Sequence, residues 1–182
     1  MKIVLVLLAV LAAAVAALLV YAATRPDTFR YERRIGIKAP PEKIYPLIAD
    51  FGLWRGWSPY ENRDPEMKRS YSGTQGSVGA GYAWSGNKNI GTGSMKLVEA
   101  APPSRLVMKL DFISPFEAHN RAEFTLTPKG DETEVTWAMY GPATFTSKMM
   151  GLVFNVDRMV GTDFETGLAA LKAEAEKQGE ER

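Results

Sequence analysis

Residues 149–175 read MMGLVFNVDRMVGTDFETGLAALKAEA, and their apolar members recur every three or four positions. This spacing predicts an amphipathic α-helix of about seven turns, with one face buried against the rest of the protein. The apolar positions are Met149, Val153, Val156, Val160, Phe164, Leu168, Leu171 and Ala175. Each glycine in a helix costs roughly 1 kcal/mol relative to alanine, so we expect either close packing against the sheet or room for a ligand at Gly151, Gly161 and Gly167.

The segment from Met67 to Tyr140 predicts the surface that this helix covers. Apolar and polar residues alternate in short runs separated by turns, and no long helical period interrupts them, which indicates an antiparallel meander. A further strand, FRYERRIGIK at 29–38, precedes it, and the predicted strands within the meander are 67–72, 78–85, 92–99, 105–112, 118–127 and 133–140. The order predicts an α+β fold, in which a curved antiparallel sheet of about seven strands wraps around a long C-terminal helix.

A short helix should connect the first strand to the meander. In APPEKIYPLIADF, residues 39–51, Pro41 and Glu42 suit the first helical turn. Pro46 lies inside the same segment, and an interior proline costs about 3 kcal/mol, so this helix should be short or kinked.

In this order of elements the sequence resembles the SRPBCC superfamily, which has the helix-grip fold. That superfamily includes START-type lipid-transfer domains, pollen-allergen-type ligand carriers and polyketide cyclase/dehydratase-like proteins. The resemblance covers residues 29–173, and it rests on IKAPPEKIYPLIADFGLWRGWSPY, GSVGAGYAWSG, LVEAAPPSRLVMKLDF, AEFTLTPKGDETEVTWAMYG and the terminal helix. It implies an apolar cavity between sheet and helix that takes a hydrophobic small molecule such as a lipid, a quinone or a polyketide.

The N-terminus has a different character, because no charge occurs from Ile3 to Ala23. A helix of that length covers the roughly 30 Å hydrocarbon layer of a membrane. We therefore expect a single-pass transmembrane anchor over 1–24, a linker at 25–28, a ligand-binding domain at 29–176 and a disordered tail at 177–182. A cleavable signal ending near Ala22 is the alternative. The cations that follow the segment, Arg25 and Arg30 above all, favour a cytoplasmic domain over a periplasmic one.

The amino-acid composition limits the partners and the catalytic groups that this protein can use. The net charge is +1, which gives no electrostatic reason to expect a nucleic acid partner. The chain has no cysteine and one histidine, so thiol chemistry is excluded, and no ligand set for a metal or cofactor is recognisable. That histidine, His119, should face outward from its strand.

The candidate ligand-binding residues are mostly large side chains expected on the inner face of the sheet or near it: Trp54, Trp57, Tyr82, Trp84, Met108, Phe112, Asn120, Phe124, Trp137 and Phe164. Trp54 and Trp57 flank a turn, and they either gate the mouth of the cavity or plug one end of the core. Asn120 alternates inward, where its amide either binds backbone or orients the polar group of a ligand.

The function expected from the anchor and the resemblance is a membrane-anchored binding protein for a hydrophobic small molecule. Two alternatives remain at this stage. One is a cyclase- or dehydratase-type enzyme that uses Asn120, Tyr82, Asp111 or Glu117 for positioning and proton transfer. The other is an interaction or stress-related domain whose cavity is filled by its own large side chains.

Overall fold

A computed structural model describes residues 2–177. Its helices are α1 (Lys2–Ala23), α2 (Pro41–Ala49), a 3-10 helix η1 (Phe51–Gly56), α3 (Phe145–Val153) and α4 (Val156–Lys177). Its strands are β1 (Thr28–Ile37), β2 (Lys68–Ser72), β3 (Gly81–Ser85), β4 (Thr92–Ala101), β5 (Arg105–Ser114), β6 (Ala118–Lys129) and β7 (Glu132–Pro142). The seven strands form one antiparallel sheet in the order β1-β7-β6-β5-β4-β3-β2.

The inner face of the sheet carries the core. Strand alternation places Leu97, Leu106, Met108, Phe124 and Val135 on this face, and all five are fully buried. Strand β4 has register irregularities near Thr92 and near Leu97, and such bulges increase the local twist and bend of a sheet. The predicted α+β architecture, with a curved antiparallel sheet packed on a C-terminal helix, is confirmed.

The C-terminal helix differs from its prediction in one respect, because it is two helices. Although the apolar spacing continues through Phe154 and Asn155, α3 ends at Val153 and α4 begins at Val156. The side chain of Asn155 accepts a hydrogen bond from the backbone N–H of Arg158 at 3.0 Å, which caps the new helix. Helix α4 packs on β1 and β7 of the sheet, whereas α3 contacts α1.

The glycine of α3 differs from the two glycines of α4 in its surroundings. A Cβ at Gly161 would collide with the guanidinium of Arg33, and one at Gly167 would lie 2.8 Å from both Pro59 and Trp137. Close packing therefore explains two of the glycines in the way predicted. A Cβ at Gly151, in α3, would meet no atom within 4 Å, so close packing does not account for that residue.

The two N-terminal helices also follow their sequence signals. Helix α2 is nine residues long and contains Pro46, as expected for a short helix. Helix α1 has a mean hydropathy of 3.3, and it is long and apolar enough to cross a membrane, a property that signal sequences share. Helix α4 includes Lys177, the first residue of the predicted tail, and 178–182 lie outside the described residues.

Candidate functional site: a cavity between the sheet and the C-terminal helices

A cavity of about 1620 Å³ lies between the inner face of the sheet and helices α3 and α4. Its wall includes aromatic and aliphatic side chains from strands β3 to β7 and from α4, with Met95, Leu110, Ala122, Met139 and Val160 among the aliphatic ones. The linker after α1, the loop between β5 and β6, and α3 form its outer rim. Ligand sites in proteins commonly measure 300–1,000 Å³, so this space can hold a molecule of lipid size.

The cavity divides the predicted ligand-binding residues into two groups. Seven of them line the wall: Trp54, Tyr82, Trp84, Phe112, Asn120, Trp137 and Phe164. The other three, Trp57, Met108 and Phe124, lie outside the wall and pack in the core, because alternation on a curved sheet does not distinguish the covered part of the inner face from the open part. Ligand contact by the seven lining residues stays a prediction.

The tryptophan pair beside the turn has a structural explanation. The indole N–H of Trp54 donates to the carbonyl of Ile48 at 2.9 Å, and that of Trp57 donates to the carbonyl of Leu47 at 2.9 Å. Both carbonyls lie in the last turn of α2, where a helix has no backbone partners left for them. Residues three apart in a 3-10 helix share one face, so this spacing brings both indoles to the end of α2.

Of the two alternatives for this pair, a gate at the cavity mouth or a plug at one end of the core, the position of Trp57 fits the plug. It is 3% exposed, and its ring lies 4.8 Å from that of Trp54 and 5.6 Å from that of Trp137, measured between centroids. Trp54 is equally buried but reaches the cavity wall. The stack continues from Trp137 to Phe164 of α4, whose ring centroids are 4.2 Å apart, so the same aromatic cluster joins η1, the sheet and the terminal helix.

Asn120 is a polar side chain on the cavity wall without a protein partner. It is 8% exposed, and its amide makes no hydrogen bond with any residue in the range 2–177. Gly141, on the neighbouring strand, leaves room for it, because a Cβ there would lie 2.4 Å from Asn120 Oδ1. A buried amide normally has partners, so this one is available to a polar group of a bound molecule.

The sequence did not reveal a buried carboxylate on the same wall. Glu61, in the loop after η1, is 6% exposed and forms an ion pair with Arg69 at 2.6 Å. It also accepts a short hydrogen bond from the hydroxyl of Tyr82. Burial, followed by this hydrogen bond, raises the pKa of Tyr82, which keeps the phenol protonated. The sequence predicted only that ENRDP is a charged loop, because nothing local identifies Arg69 as the partner.

A second polar group on the wall connects the loop after η1 to α4. Arg63 pairs with Asp163 and its guanidinium lies 4.9 Å from the centroid of the Tyr60 ring. Burial, and then the charge of Asp163, raise the pKa of Tyr60. All three residues line the cavity, so a bound molecule would meet a paired cation and anion on this side.

His119 lies on the rim of the cavity and is exposed, as its outward alternation predicted. Its Nδ1 is 2.7 Å from Asp111 and its Nε2 is 3.2 Å from Glu117, and these contacts raise the pKa of the imidazole. The two carboxylates that were considered as catalytic groups therefore contact this histidine. Within residues 2–177, no cluster of three or more histidine, aspartate or glutamate side chains is arranged to hold a metal.

Solved structures share this architecture. A protein of unknown function from Staphylococcus aureus superposes with a TM-score of 0.63 and 12% identity, covering 85% of this chain and 97% of its own. Ginseng major latex-like protein 151, from Panax ginseng, superposes with a TM-score of 0.59 at 13% identity, covering 82% of this chain and 99% of its own. DynU16, encoded in the dynemicin biosynthetic locus, superposes with a TM-score of 0.56 at 15% identity, and the match spans 84% of this chain but 48% of DynU16. At these identities the likeness establishes the fold alone.

The sheet, the helix that packs on it and the cavity between them define a helix-grip protein of the SRPBCC type. Residues 28–176 match the family model described as "Polyketide cyclase / dehydrase and lipid transport", and the chain belongs to that family. No curated protein matches the chain in sequence.

Proposed function

We propose that this protein is a membrane-anchored binding protein that holds a hydrophobic small molecule in the cavity between the sheet and the C-terminal helices. The observation that carries the proposal is the cavity itself, about 1620 Å³ in volume and bounded largely by apolar side chains. A filled core would leave no such space, so the volume favours ligand binding over an interaction domain with a filled cavity. The family description, which includes lipid transport, supports the same ligand class.

The polar groups on the cavity wall narrow the chemical class of the expected ligand. The free amide of Asn120 suits a carbonyl or hydroxyl group, and Trp54, Trp84, Phe112, Trp137 and Phe164 suit the apolar body that carries it. We expect an amphipathic molecule with one such polar group rather than a pure hydrocarbon. Helix α1 would keep the protein at the bilayer, where such a molecule is concentrated.

Native mass spectrometry of the full chain, released from a mild detergent, tests the proposal. The wild type should carry an adduct of discrete mass, which organic extraction then identifies. Ala122→Phe should lose the adduct, because Ala122 faces the cavity from β6. Thr125→Phe is the matched control, since it adds the same side chain to the outer face of the same strand. An adduct-free wild type after incubation with membrane extract, or equal adducts on both variants, would contradict the proposal.

The buried Glu61–Tyr82 pair favours one second candidate, a cyclase- or dehydratase-type enzyme. A carboxylate that accepts a hydrogen bond from a phenol on a cavity wall is placed for general acid–base chemistry. Under this alternative, Glu61→Gln would retain bound substrate while the wild type carries product, and for a dehydratase the two masses would differ by one water. Identical bound molecules in wild type, Glu61→Gln and Tyr82→Phe would leave binding as the function.

A further inference from the structure

Large exposed apolar side chains are concentrated around the rim of the cavity. Phe116, in the loop between β5 and β6, is 72% exposed, and Phe154, at the end of α3, is 54% exposed. Phe145 and Met150 of α3 are also exposed. Among the described residues of α3, the only charged side chain is that of Lys148, which is 8% exposed and already paired. Helix α3 therefore presents apolar groups to the surroundings without the charges usual on a solvated helix, whereas the β5–β6 side of the rim also carries the exposed Glu117.

The same rim is fixed next to the end of α1. Helices α1 and α3 are in contact, and Ala22 is fully buried. The linker is held against α3, because Asp27 pairs with Lys148 at 2.6 Å and its carbonyl accepts the N–H of Ala143 at 2.7 Å. Arg25, two residues after α1 ends, lines the cavity. These contacts hold the rim directly beside the last turn of α1, so the two are not separated by a long flexible linker.

We propose that α3 and the β5–β6 loop, residues 115–117, dock in the headgroup region of the bilayer that α1 spans, and that the ligand enters the cavity between them from that leaflet. This inference rests on the anchoring part of the proposed function. With 22 residues, α1 is about 33 Å long, so its last turn reaches the membrane interface. Tyr21 and Arg25, whose guanidinium lies 5.7 Å from the centroid of the Tyr21 ring, are side chains typical of that level.

A lipid surface fits this rim better than a protein partner does. The exposed groups include Phe145 and Met150 of α3 and Phe154 at its end, and apolar side chains of this kind can insert at the boundary between headgroups and acyl chains. Continuity with α1 supports the same occupant, since any surface in contact with the end of a membrane-spanning helix faces headgroups. A ligand that dissolves in lipid could then reach Phe112 and Asn120 without crossing water.

Depth-dependent fluorescence quenching on the full chain tests the docking. The chain has no cysteine, so single-cysteine variants labelled with bimane can be reconstituted into two sets of vesicles. In one set the lipids carry a quencher at the headgroup or upper acyl chain, the level expected for the rim, and in the other they carry it near the end of the acyl chain, the level expected for Leu11 at the middle of α1. The test positions are Phe116→Cys and Phe154→Cys. Leu11→Cys, within α1, reports membrane insertion, and Asp131→Cys, in the β6–β7 turn at the far end of a 12-residue strand, is the matched exposed control. That strand spans up to about 40 Å.

The expected result is strong loss of fluorescence at Leu11, Phe116 and Phe154, and none at Asp131. If Leu11 is quenched while Phe116 and Phe154 behave like Asp131, the chain is anchored but the rim does not dock, and this inference alone fails. If Leu11 is not quenched either, the anchor fails, and the inference fails with it. Protection of Phe116 from an aqueous quencher without quenching by lipid would assign the rim to a protein partner and would also overturn the inference.

Discussion

Replacement of Trp57 tests whether the tryptophan pair stabilises the fold or controls access to the cavity. Trp57→Phe keeps an aromatic ring but removes the indole N–H that donates to Leu47 at 2.9 Å. The loss of such a bond, with a carbonyl left unsatisfied in the core, costs about 1–3 kcal/mol. Trp57→Ala also removes the ring, which is 3% exposed and contacts two other tryptophans, and a truncation of this kind costs about 3–5 kcal/mol.

The assay is urea unfolding of the full chain in a mild detergent, followed by circular dichroism because tryptophan fluorescence changes with the mutation. Leu53→Ala is the control, since Leu53 lies on the same η1 helix but is 44% exposed, and it should change the free energy of unfolding by less than about 0.5 kcal/mol. The reasoning would be refuted if Trp57→Phe matched this control in stability while the bound adduct was lost. That result would make Trp57 a gate.

Four further variants test the contacts of His119, the amide of Asn120 and the glycine of α3. Asp111 is the main cause of the raised pKa of His119, so stability from this contact is present below the ordinary pKa of about 6.5 and is lost as pH rises through the raised value. Asp111→Asn should lower the pKa of His119 measured by NMR, and an unchanged titration would refute the assignment. Gly141→Ala should displace the amide of Asn120 and reduce the amount of bound adduct, and Asn120→Ala should reduce it too. If both variants kept the full adduct, the amide would not be part of the binding site. Gly151→Ala should stabilise the protein by up to about 1 kcal/mol against urea, and destabilisation would indicate a packing role not seen in the structure.

The sequence predicted most of the fold because period-two alternation and the apolar stripe are local signals that do not depend on the ligand. It predicted the inner face correctly, including the burial of Met108, Phe124 and Asn120. It did not predict the end of α3, because the apolar spacing runs through Phe154 into α4. Asn155, a favoured helix-capping residue, was the signal present at that point.

The composition of the cavity wall was harder to predict, because it depends on contacts between distant parts of the chain. Glu61 reads as part of a solvated loop, and its burial follows from Arg69 and Tyr82, which lie on two other strands. Conversely, Trp57 has the sequence signature of a ligand contact but contacts the end of α2. An inward residue lines the cavity only where α4 leaves the sheet uncovered, and hydrophobic periodicity carries no information about that boundary.

Methyl NMR of the full chain with labelled methionines tests the central claim, that a hydrophobic molecule occupies the cavity, most directly. Met95 and Met139 line the cavity, whereas Met108 is buried in the core and Met159 is exposed on α4. On removal of the bound molecule by extraction, and again on its return, the account predicts shifts at Met95 and Met139 while Met108 and Met159 remain unchanged. No shift at Met95 and Met139, or an equal shift at all four of these methionines, would contradict it.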